Sequence, residues 1–115
     1  MKREFIILPE FDRCWGKMGL DDGDLRELEN YLCAHPESGD VAPGTGGLRK
    51  LRWGAQGKGK RGGARVIYVD FAYYEKIYLL SAYPKSVKVN LTETEKAEIK
   101  RLIKILEHEL RTKRY

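Results

Sequence analysis

The sequence predicts an α+β fold: a curved, mainly antiparallel sheet in the order β-α-α-β-β-β-α, with its helices on one face. Three observations carry this. Residues 64–72 and 77–83 are β-branched and aromatic runs separated by a short turn. Residues 22–34 and 93–112 carry apolar residues at helical spacing behind capping residues. Strands and helices also occur in blocks rather than in strict alternation, and no repeat of about 20–50 residues is present.

Taken in order, residues 3–8 (REFIIL) read as a short strand that Pro9 ends, since proline cannot donate to a ladder. Phe11, Trp15 and Met18 at spacings of three and four predict a helical turn over 10–19, closed by Gly19. Asp21 and Asp22 offer an N-cap for a helix over 22–34. Asp24 and Glu27 favour the positive end of its dipole, and Leu25, Leu28, Tyr31 and Leu32 line one side. His35-Pro36 ends it, and 37–47 reads as loop. A strand over 48–53, a glycine-rich hairpin loop over 54–63 and the strands 64–72 and 77–83 complete an antiparallel meander. Thr92 and Glu95 form a capping-box pattern ahead of the final helix. Ile99, Leu102, Ile103, Leu106 and Leu110 form its apolar stripe.

With 115 residues the chain fits one domain. No apolar run approaches the roughly 20 residues of a membrane helix, and the apolar stretch near the start is too short for a signal-peptide core. Two cysteines make no disulfide scaffold. A cytosolic protein is therefore expected.

The charge is unevenly spread. Residues 41–69 contain seven basic and no acidic residues, together with eight of the twelve glycines, whereas the rest of the chain holds 15 basic and 17 acidic residues. A concentrated cationic segment on a mildly acidic scaffold attracts polyanions.

The segments GTGGLRKLR (44–52), KGKRGGARVIY (58–68) and YLLSAYPK (78–85), in this order, resemble the RelE/ParE superfamily of toxins from type II toxin–antitoxin systems, with the HigB-like branch of RelE toxins nearest. The resemblance spans almost the whole chain. It implies a ribosome-dependent endonuclease that cuts mRNA in the A site and arrests translation. It also implies a cognate antitoxin, in this branch usually with a helix-turn-helix domain. The toxin is expected to be monomeric when free. The gyrase poisons of the ParE type and a non-catalytic nucleic-acid-binding module are the alternatives.

Such cleavage uses the substrate's own 2′-hydroxyl and leaves a 2′,3′-cyclic phosphate, with no metal or other cofactor. It needs cations that stabilise a phosphorane, a task that suits arginine's permanently charged fork. A clustered lysine serves as acid or base where neighbours depress its pKa. Arg65 begins the central strand after Gly62-Gly63, at the place of the family's phosphate-stabilising arginine. The competing reading pairs it with Asp70 or Glu75. Lys50 and Arg52 share one face of the preceding strand by alternation, and the resemblance makes one of them a catalytic candidate, since RelE-type toxins carry basic catalytic residues on this strand. Tyr83 and Lys85 flank Pro84 at the corner where the family supplies a basic or aromatic residue beside the scissile phosphate. Lys58, Lys60 and Arg61 in the loop, with Arg49, are the expected RNA or ribosome contacts. Unlike several family members, this chain has no Tyr or His in 86–93, and His35 and His108 are expected away from the basic face.

Other patterns carry little weight. Residues 54–60 satisfy GxxxxGK, but Arg61 stands where a P-loop needs Ser or Thr, and a strand follows instead of a helix. Cys14 and Cys33 lack partners for a zinc site.

Overall fold

The computed structural model describes residues 2–54, 63–87 and 89–113. Strand β1 (Glu4–Ile7) leads into α1 (Pro9–Lys17), with Pro9 at the first helical position, where its missing N–H costs nothing. Helix α2 (Asp22–Ala34) opens on a reciprocal cap between Asp21 and Asp24. Then come β2 (Asp40–Val41), β3 (Arg49–Trp53), β4 (Ala64–Phe71) and β5 (Lys76–Pro84). Helix α3 (Glu93–Thr112) starts on the expected Thr92/Glu95 capping box.

The sheet order is β1-β5-β4-β3-β2. Strands β3, β4 and β5 form the antiparallel meander, and β1 lies parallel to β5 at one edge. β2, at the other edge, falls in a stretch that reads as loop from sequence. Two residues are too few to show a strand period, and only the pairing of Asp40 with Lys50 and Val41 with Arg49 defines it.

The helices do not share one face. Phe11 and Trp15 of α1 and Leu28 and Leu32 of α2 pack on Leu51, Ala64, Val66, Tyr68, Ile77, Leu79 and Ala82. Ile103 and Leu110 of α3 pack on Leu48, Val69, Phe71, Tyr78 and Leu80. Because β4 and β5 are apolar on successive residues, both faces of the sheet need a cover. α3 supplies the second one.

The β4–β5 connection is a 3-10 turn (Ala72–Tyr74) followed by Glu75 in a left-handed conformation at φ 57. Beside it a buried ion pair joins the N-terminal segment to the sheet. The Arg3 guanidinium donates from Nε to Asp70 Oδ1 at 2.8 Å, and both side chains are 4% exposed.

Candidate nucleic-acid interface

The cationic residues of β3 and β4 are set by strand register. Arg52 lies directly opposite Arg65, and Arg65 lies directly opposite Tyr83. Direct partners share a face. These three residues therefore form one row across three strands, about 10 Å wide at roughly 4.8 Å per strand. The next row is Lys50, Ile67 and Ser81, with Lys50 on the same face as Arg52. This is the face that α3 covers farther along the strands, where Val69 and Phe71 continue the Arg65 and Ile67 side of β4.

Tyr83 joins the row because of an irregularity. Tyr68 pairs with Leu79 but Ile67 pairs with Ser81, so Leu80 is an extra residue in β5. Ile77 and Leu79 face α1 and α2, and regular alternation would send residue 83 the same way. The bulge shifts the phase by one residue, so Ala82 takes the α1/α2 face and Tyr83 lies beside Arg65.

The entry to β4 is equally constrained. Gly63 has φ +63, and a Cβ there would lie 2.5 Å from the Trp53 carbonyl oxygen. Its own carbonyl accepts a hydrogen bond from the Lys85 amide at 3.2 Å. This bond ties the corner after Pro84 to the start of β4 and keeps Lys85 at the end of the site. Lys85 and Arg52 are exposed, whereas Arg65, Lys50 and Tyr83 are half-buried.

The two arginines meet without neutralisation. Neither Arg52 nor Arg65 forms an ion pair among the described residues, and Asp70 is committed to Arg3 rather than Arg65. Like charges directly opposite in a sheet are destabilising, so this row is a place where the fold bears an electrostatic cost that an anion would relieve. The nearest carboxylate by register is Asp40, opposite Lys50 on β2. Sequence reasoning misses this neighbour because β2 itself has no sequence signal.

Arg49 stands apart. It alternates with Lys50 and so faces the α1/α2 side with Leu51. Its Nη1 donates to the carbonyl oxygens of Gly39 at 2.7 Å and Glu37 at 3.2 Å. The Tyr68 hydroxyl accepts from the Gly39 amide at 2.9 Å and donates to the Pro36 carbonyl at 2.8 Å. Burial pushes that phenol's pKa above its usual value, keeping it a proton donor. A side chain at Gly39 would meet Tyr68 Cε1 at 2.9 Å. Arg49 and Tyr68 thus pin the segment that positions β2. Lys58, Lys60 and Arg61 lie outside the described residues.

His35 makes a tilted ring contact with Tyr31 at the end of α2, with centroids 4.9 Å apart, and His108 lies on α3. Among the described residues no group of three or more His, Cys, Asp or Glu side chains is placed to hold a metal ion, and no helix is long and apolar enough to cross a membrane. Residues 10–113 match the family model described as the RelE toxin of the RelE/RelB toxin–antitoxin system.

Proposed function

We propose that this chain, which belongs to the RelE toxin family of toxin–antitoxin systems, cleaves mRNA on the ribosome by means of the Arg52–Arg65–Tyr83 row. The observation that carries the reading is the un-neutralised pair of arginines facing each other on rigid strands, on a sheet whose other face is closed by α1 and α2. A scissile phosphate seated on Arg65 receives a bidentate guanidinium, with Arg52 adding charge from the neighbouring strand. Attack by the substrate 2′-hydroxyl yields a 2′,3′-cyclic phosphate and a free 5′-hydroxyl. Lys50, two residues from Arg52 on β3, and Lys85, two residues past Tyr83, take or give the proton, and Tyr83 offers a ring for base stacking.

In this reading Lys58, Lys60 and Arg61 contact RNA backbone, whereas Arg49 acts through loop placement because its guanidinium is spent on carbonyl oxygens. The motif order supports the HigB-like branch, a helix-turn-helix antitoxin and a cytoplasmic site of action.

The test is cell-free translation with primer extension on the message. Expected are new 5′ ends within codons and halted synthesis, both dependent on ribosomes. Intact message overturns the reading, and inhibition of gyrase supercoiling with intact message moves the protein to the ParE type.

A further inference from the structure

We infer that a lysine ridge on α3 (Lys96, Lys100 and Lys104) is a second contact for RNA backbone, an inference that rests on the mRNA-cleavage reading above. Residues four apart stack on one side of a helix, so the three ammonium stems form a line about 12 Å long between the first and last Cα. Like charges at this spacing oppose helix formation, and the chain nevertheless places three in succession.

The ridge borders the glycine-rich loop that leads into β3. A Cβ at Gly44 would lie 3.6 Å from Lys96 Cδ, and one at Gly46 would lie 3.2 Å from Lys100 Cγ. Both glycines have positive φ, at +78 and +80, so the loop passes close to the lysine stems without a side chain at these two points. After this loop come Leu48 and then Lys50 and Arg52. Cationic groups therefore run from the Arg52–Arg65 row through Lys50 to the side of α3.

Among the described residues, carboxylates flank the ridge only at its ends. Lys100 and Lys104 form no ion pair among the described residues, and Lys96 reaches only the exposed Glu93, at 3.5 Å. Glu93 and Glu107 sit at its two ends, while Glu95, Glu98 and Glu109 occupy the opposite flank, which also exposes Leu102 and Ile105. Gly44 and Gly46 approach its stems, and the exposed Val41 and Tyr73 lie in the neighbouring hollow beside Gly46 and Glu107; the lysine line itself carries no aromatic or large apolar side chain. A protein partner needs such anchors. A nucleic-acid backbone needs only spaced cations.

The test uses the full chain and three variants: Lys100→Glu with Lys104→Glu, the milder Lys100→Gln with Lys104→Gln, and Glu98→Lys on the other flank. Wild-type protein is first assayed for mRNA cleavage on programmed ribosomes. No cleavage there overturns the functional reading and this inference with it. Where the wild type cleaves, the Glu double variant is expected to bind purified ribosomes about tenfold more weakly at physiological salt. The slope of log affinity against log salt should flatten by about 2, roughly one per lysine. Cleavage at saturating toxin persists, and Glu98→Lys does not weaken binding. If the Glu variant misfolds, the Gln variant must show the same flattening. Unchanged affinity and slope in a folded variant overturn the ridge and leave the cleavage reading standing. Weakened antitoxin binding with unchanged ribosome binding also overturns it.

Discussion

The two faces of the sheet are made by the same strands and finished differently. On the α1/α2 face, β3, β4 and β5 present Leu51, Ala64, Val66, Tyr68, Ile77, Leu79 and Ala82, all buried. On the α3 face the same strands carry Val69, Phe71, Tyr78 and Leu80 under the helix at one end and Lys50, Arg52, Arg65 and Tyr83 at the other, beyond the residues buried in that cluster. One face holds the fold together along its length. The other is apolar over one half and cationic over the rest. A 115-residue chain thereby keeps a rigid platform while alternate residues of the same strands form a cationic surface.

The contrast is broken most directly at Arg65. Arg65→Ala should lower the cleavage rate about 10²–10³-fold, the range for removing one charge-stabilising donor, while the urea midpoint stays within error or rises as the Arg52 repulsion is relieved. A large drop in midpoint would show that Arg65 belongs to the structural face after all. The mirror experiment is Leu79→Ala, which should cost about 2–5 kcal/mol of stability because Leu79 is fully buried. Its rate constant at low temperature, where the protein is still folded, should change little. Ile105→Ala on the exposed flank of α3 is the control, within about 0.5 kcal/mol.

Gly63→Ala tests the point where the faces meet. The left-handed backbone alone costs about 1–2 kcal/mol, and the approach to the Trp53 carbonyl adds to it. Both melting temperature and cleavage should fall together, since the start of β4 aims Arg65.

The smallest effect concerns pH. Burial raises the Glu29 carboxyl above its ordinary range, against a weaker opposing pull from Arg26. The folded state then holds that proton more tightly than the unfolded chain, so this group's contribution to stability increases as pH falls through the raised value. Glu29→Gln should flatten the urea midpoint just above the ordinary carboxylate range and leave cleavage unaffected.

Much of this was legible in the sequence. Capping residues and apolar spacing locate α2 and α3, and the β-branched run locates β4, because those signals are local. The side of the sheet that α3 takes is not local. Its signal lies instead in the continuous apolar run from Val66 to Val69 and in Ile77–Leu80, which reads as strand buried on both faces. Strand alternation places Lys50 and Arg52 together correctly. It also separates Arg49 from them, although the charge count alone groups all three. Asp40 beside Lys50 and Tyr83 beside Arg65 depend on an edge pairing and a bulge, neither of which leaves a sequence pattern.

The extra residue at Leu80 makes sidedness in β5 a matter of parity. Removing Leu80 alone would restore regular alternation and keep Ala82 opposite Val66 and Tyr83 opposite Arg65, with Tyr83 then three positions after Leu79 instead of four. Relatives that lack the additional residue must recruit their counterpart of Tyr83 from one position away, so equivalence at this corner follows spatial pairing with β4 rather than distance along the chain.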